Sequence, residues 1–252
     1  MTDRDSSFDF LSQATKIVKE ASNRRITLRM SGAIAIREHC PSYRDLHARL
    51  GRELSDIDLV GYRREESQID KLFNELGYAK HLSVAMMIGG RRVYIDPASG
   101  HAVDIFLDKL VMCHTIDFTG RLEVDYPTVP LAEIFLSKMQ IVKLTEKDVK
   151  DLIVLLREHE AGDTDSETVN ARYVANILSD DWGFYYTVIT NLMKVKELLS
   201  KYNALTQSDK TDVASKIDKI LHVVEGNPKS LKWKMRASVG TKKIWYRKVD
   251  VR

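Results

Sequence analysis

Asp56 and Asp58 stand one residue apart in "ELSDIDLVGY", at the head of an apolar run. Alternate residues of a strand share a face, so both carboxylates point one way while Ile57 and Leu59 point the other. Two carboxylates a few ångströms apart repel, and one takes up a proton unless a cation lies between them. Mg²⁺ favours hard oxygen donors and usually takes one or two carboxylates together with substrate phosphates; Mn²⁺ accepts the same donors. "HAVDIFLD" supplies a third acid, Asp104, inside an apolar strand where an uncompensated charge is costly. Asp108 falls on the same face by alternation and is the substitute for Asp104. Asp56, Asp58 and Asp104 are thus the candidate metal ligands and catalytic acids.

Upstream, "MSGAIAI" sets Ser31, Gly32 and Ala33 where a strand turns into a helix. Backbone N–H groups at a helix start, aided by the helix dipole, attract anions. An anion-binding turn beside three metal-binding acids is the outline of a triphosphate site.

A glycine turn, Asp-x-Asp on a strand and a third Asp on a later strand resemble the nucleotidyltransferase superfamily typified by DNA polymerase beta and kanamycin nucleotidyltransferase. The resemblance covers roughly Ile26 to Asp108. The stretch from Leu131 to His159 looks like the helical part of bacterial stand-alone members, including the nucleotidyltransferase toxins of type IV toxin–antitoxin systems. The resemblance implies Mg²⁺ or Mn²⁺ as cofactor, an NTP such as ATP as substrate, and transfer of its NMP to an acceptor hydroxyl. It also implies that Lys138 in "FLSKMQIV", with Asp148 or Asp151 in "EKDVKDL", completes the nucleotide site beside Ser31, Gly32 and Ala33. The toxin likeness points to an RNA acceptor and an antitoxin partner. A small-molecule acceptor such as an antibiotic is the alternative, and so is a degenerate member that binds nucleotide or RNA without transfer. Two departures stand out. Gly32 is followed by Ala33 where the family usually has Gly or Ser, so no hydroxyl is offered there. The gap from Gly32 to Asp56 is also long, and it carries Arg44, Arg49 and Arg52. Arg44 and Arg49 read as a solvated face; Arg52, four residues before Asp56, is open.

The elements that must position these groups follow from periodicity. Residues 7–22 have helical spacing behind a Ser-rich start. "RRITLRMSGAIAIREHC" reads as strand, glycine turn and helix, "SDIDLVGY" as a strand, and "ESQIDKLFNELGY" as a helix ending at Gly77. "VAMMIGGRRVYI" signals a hairpin at Gly89-Gly90, and "GHAVDIFLDKLVMC" gives another strand. Past Pro127 and Pro130 the texture becomes helical, with helices predicted in 131–144, 145–160, 166–180, 180–202 and 207–226 and an acidic loop over "HEAGDTDSET". The basic "LKWKMRASVGTKKIWYRKV" is predicted to close the chain as a hairpin. The plan is a mixed α/β (α+β) fold: a catalytic domain over 1–126, a helical domain over 127–226 and a basic segment over 227–252.

Composition bounds the rest. With 44% hydrophobic residues, 5 Pro and 12 Gly, the chain can bury real cores and is not of the disordered class. No apolar run reaches the length of a membrane span, and the acidic "MTDRDSSFDF" start lacks the features of a signal peptide. Two cysteines make no disulfide framework, so a cytoplasmic location is expected. His39-Cys40 and Cys113-His114 are poor zinc pairs, because adjacent residues diverge. Charge is unevenly spread. Residues 227–252 hold nine Lys or Arg against one acid, a net +8, while the remainder holds 30 against 35, a net −5. Such a tail fits a polyanion, with Lys232, Lys234, Arg236, Lys242, Lys243 and Arg247 as the nucleic-acid-binding candidates. The alternative is a basic segment docked on its own acidic body.

Overall fold

The computed structural model describes residues 9–81 and 90–249. These divide into two compact units. The first comprises residues 1–38, 54–110 and 117–129; the second comprises 39–53, 111–116 and 130–252. The predicted turn at Gly89-Gly90 lies largely outside the described residues, although the strand following it is present.

The first unit is built on a mixed five-stranded sheet. Its strands are β1 (Leu28–Ser31), β2 (Ile57–Gly61), β3 (Ala79–His81), β4 (Arg91–Ile95) and β5 (Ala102–Leu107), in the spatial order β1-β2-β5-β4-β3. Only β2 and β5 run parallel; the remaining neighbours are antiparallel. Strand β5 is central, which explains why Val103, Asp104, Ile105 and Leu107 are all buried rather than alternating. The helix Phe10–Asn23 buries Ala14, Ile17, Val18 and Ala21 at i, i+3, i+4 and i+7, and the Asp9 carboxylate caps it by accepting from the Ser12 N–H. Glu66–Glu75 is helical as expected and ends before Gly77, whose φ is +85°. Phe73 on that helix stacks on Tyr94 of β4 at 4.2 Å between centroids. The free edge of β1 is covered by residues 127–129: Met30 donates its N–H to the Pro127 carbonyl and accepts from the Val129 N–H.

Helices dominate the second unit: Arg44–Arg49, Leu131–Met139, Glu146–Glu158, Ala171–Leu178, Trp182–Leu198, Gln207–Gly226 and Leu231–Val239. Thr145 and Asp148 form a capping box at the start of the 146–158 helix, and Thr206 with Asp209 does the same for 207–226. The acidic loop differs from expectation. Glu160–Gly162 and Thr168–Asn170 pair as short parallel strands within it.

The predicted basic hairpin is not formed. Residues 231–239 are helical, because Ser230 caps the Trp233 N–H and Lys, Met, Arg and Ala favour the helix until Gly240 turns it with φ +58°. The aromatics therefore do not pair across strands. Trp233 packs edge-on against Tyr185, and Trp245 against Tyr186 while donating its indole N–H to Thr187. The aromatics of "DDWGFYY" thus serve as a helix-packing cluster. Thr187 also contacts His114 Nε2 at 2.9 Å, and burial pushes the His114 pKa down to about 4, so this ring is a neutral packing group stacked on Phe184. Among the described residues no helix is long and apolar enough to cross a membrane.

Candidate functional site

Register sets the site. Ser31 of β1 lies opposite Asp58 of β2, and Asp58 lies opposite Asp104 of β5. Residues directly opposite across a ladder share a face, so Ser31, Asp58 and Asp104 form one row over three adjacent strands. The row places an acid at the centre of the sheet: Asp104 is only 9% exposed, in a position where a hydrophobic residue would otherwise stabilise the core.

Gly32 follows Ser31 immediately and opens the 32–39 helix. Its φ is +62°, a left-handed conformation open to glycine and costly for side-chain-bearing residues. A Cβ at this position would lie 2.5 Å from Oδ2 of Asp58. The turn therefore needs glycine for two separate reasons, and the second is the carboxylate itself. Ala33, the next residue, is buried and extends the helix. The strand-to-helix turn is thus pressed directly against the central acid.

Asp56 sits just before β2, exposed, and accepts a hydrogen bond from the Ser55 hydroxyl at 3.1 Å. Asp108, the substitute for Asp104, is turned away from the row. Its φ of +63° ends β5, and its carboxylate accepts from the Arg63 N–H at 3.0 Å.

Sequence reasoning missed Arg91. Its guanidinium grips Asp104 through two contacts, Nε to Oδ1 at 3.1 Å and Nη2 to Oδ2 at 2.6 Å, while remaining 38% exposed. Here the guanidinium supplies the positive charge that a buried carboxylate requires. The three aspartates are accordingly not a convergent trio with donor atoms within 4.8 Å of one another; among the described residues that description fits other side chains. A hard, all-oxygen donor set nevertheless suits a Mg²⁺-type ion. Two of its acids, Asp58 and Asp104, are fixed in register, and Asp56 is exposed at the start of the strand that carries Asp58.

In the second unit Lys138, Asp148, Asp151 and Arg52 form a closed ion cluster. Arg52 binds Asp151 in a fork (2.8 and 3.0 Å), and Lys138 reaches Asp151 at 2.9 Å and Asp148 at 3.1 Å. Burial pushes the Asp151 carboxyl up, but Lys138 and Arg52 outweigh it and hold it below its ordinary value. Burial acts downward on the Lys138 ammonium, and the carboxylates of Asp151 and Asp148 more than reverse that. Arg52, open from sequence, is therefore buried against Asp151. Arg44 and Arg49 are exposed, Arg49 pairing with Asp45 at 3.3 Å.

In the basic segment, Arg236 spends its donors on the carbonyls of Gly240 and Lys243, and Arg247 donates to the Met112 carbonyl and to Thr115. Lys232 lies 3.6 Å from Asp180. Lys234, Lys242 and Lys243 are exposed.

No family model and no curated protein matches the sequence. Among solved structures the chain is similar to the antibiotic-resistance factor ANT(2'')-Ia, with 15% identity over 68% of this chain and 96% of that one and a TM-score of 0.41. It is also similar to an antigenic nucleotidyltransferase-like protein from Paracoccidioides brasiliensis, with 11% identity over 89% and 96% of the two chains and a TM-score of 0.40.

The contact at Gly32 makes a direct prediction. Gly32→Ala places a methyl group against Asp58 and forces a left-handed alanine, so it should destabilise the protein by about 1–2 kcal/mol or more in urea unfolding. A variant as stable as the wild type would show that the turn is not held by this contact.

Proposed function

We propose that the protein is a metal-dependent nucleotidyltransferase that moves an NMP from an NTP to an acceptor hydroxyl and releases pyrophosphate. One observation carries the reading: Ser31, Asp58 and Asp104 stand in register across three strands, with a left-handed glycine helix start pressed on Asp58. An anion-binding turn touching a carboxylate row is what a polyphosphate with its counter-cation requires.

A divalent cation held by Asp56, Asp58 and Asp104, Mg²⁺ or Mn²⁺, would neutralise the triphosphate and the departing pyrophosphate. The backbone N–H groups from Ser31 to Ala33 hold phosphate oxygens at the helix start. Asp104 takes the proton from the acceptor hydroxyl. The oxygen forms a bond to the α-phosphorus while the bond to the pyrophosphate oxygen breaks. Before this, Arg91 must leave Asp104, and its partly exposed guanidinium is free to swing to the phosphates.

RNA is the acceptor the charge distribution favours, because exposed Lys234, Lys242 and Lys243 lie in the +8 segment. A cytoplasmic location and an antitoxin partner fit that reading. The aromatics of the segment are committed to packing, so base stacking is assigned no part in binding.

Two measurements test the proposal. With labelled NTP, Mg²⁺ and total RNA, the wild type should label RNA, and Asp58→Asn should bind nucleotide but lose transfer by several orders of magnitude. Full activity in Asp58→Asn would end the assignment, and nucleotide binding with no transfer by the wild type, even with Mn²⁺, would favour a sensor. For the acceptor, the triple variant Lys234→Gln, Lys242→Gln, Lys243→Gln should lower the slope of log K against log[salt] for RNA by about 2. An unchanged slope would remove RNA contact from the segment.

A further inference from the structure

His39, His159 and Glu167 come from three separate places in the second unit: the end of the 32–39 helix, the end of the 146–158 helix and the start of the 168–170 strand. One ligand atom from each lies within 4.8 Å of the other two. His159 is buried, His39 is half-buried and Glu167 is exposed, so the group opens to solvent on one side.

The contacts of His159 are specific. Its Nε2 lies 3.0 Å from the carbonyl oxygen of His39. In the tautomer that donates Nε2–H to that carbonyl, the shorter of the ring's two carbonyl contacts, the lone pair is on Nδ1. Nδ1 faces oxygen as well: the Glu167 carbonyl at 3.2 Å and Glu167 Oε2 at 3.8 Å. A lone pair, a carbonyl oxygen and a carboxylate converge there, and the His39 ring lies edge-on 5.7 Å away. In metal sites a ligating imidazole characteristically donates its other ring N–H to a backbone carbonyl, and the His39 carbonyl is placed to accept from His159 Nε2 in this way. Glu167 is also one of three non-glycine residues with positive φ among the described residues, at +52°. Such a conformation persists only where surroundings enforce it, and it concentrates at ligand clamps. Nearby cations are already committed: Lys216 to Glu160 and Asp212, and Arg157 to Asp209 and Asp212.

We propose that His39, His159 Nδ1 and Glu167 form a site for a Zn²⁺-class transition-metal ion, separate from the aspartate row. Two imidazoles and a carboxylate are a borderline nitrogen–oxygen set that suits Zn²⁺ and Co²⁺ rather than Mg²⁺, and three protein ligands leave a position for water. The inference does not depend on nucleotidyl transfer.

The test uses the full chain stripped with chelator and titrated with Co²⁺ and with Zn²⁺. One equivalent of Co²⁺ should give the visible absorption of a low-coordinate nitrogen–oxygen site, and Zn²⁺ should displace it and raise Tm. Asp58→Asn should leave both signals in place. Glu167→Gln, at an exposed side chain, should weaken Zn²⁺ binding about tenfold or more without changing the metal-free Tm, and His39→Gln should do the same. No Co²⁺ spectrum in the wild type, or unaltered Zn²⁺ affinity in both variants, would overturn the proposal.

Discussion

The contact between Gly32 and the Asp58 carboxylate constrains the rest of the first unit. A helix start can approach a carboxylate this closely only if its first residue has no Cβ and accepts a left-handed backbone. That approach fixes where β1 ends, and the antiparallel register then sets Ser31 opposite Asp58. The parallel pairing of β2 with β5 carries the same row to Asp104. A one-residue slip in either ladder would send an acid to the opposite face and a hydrophobic residue into its place, so the packed faces of the sheet protect the register.

An acid in the middle of a sheet raises the question of what compensates it. Arg91 does so through a forked pair on β4, directly beside β5. Removing one member of such a pair is far more damaging than the pair is stabilising, because the remaining charge is left desolvated. The second unit follows the same rule with Lys138, Arg52, Asp148 and Asp151, two cations against two anions. In both places the charges are retained at an energetic cost that packing alone would not demand. For the aspartate row, the proposed binding of a polyphosphate and its cation would supply the reason.

The strands and helices carrying the acids and the glycine were readable because their signals are local: alternation around Asp58 and a glycine between strand and helix. What escaped depended on distance or on competing periods. Arg91 is one basic residue among many until the β4–β5 register places it on Asp104. Arg52 and Asp151 are about a hundred residues apart in the chain. Asp108 has the alternation of Asp104 but ends the strand with a positive φ, which spacing does not reveal. In the basic segment, Trp233 and Met235 mimic a strand's alternation, whereas the Ser230 cap and the helix-favouring residues around them prevail. His39, His159 and Glu167 meet only because two helices and a short strand end at one point.

The central claim is that the row Ser31–Asp58–Asp104 receives a triphosphate and its cation. A crystal structure with a non-hydrolysable NTP and Mg²⁺ tests it most directly. The account predicts phosphate oxygens on the backbone N–H groups at Gly32, an ion bound by Asp58 and Asp104, and Arg91 released from Asp104 toward the phosphates. Nucleotide bound elsewhere, with the Arg91–Asp104 pair intact, would contradict it.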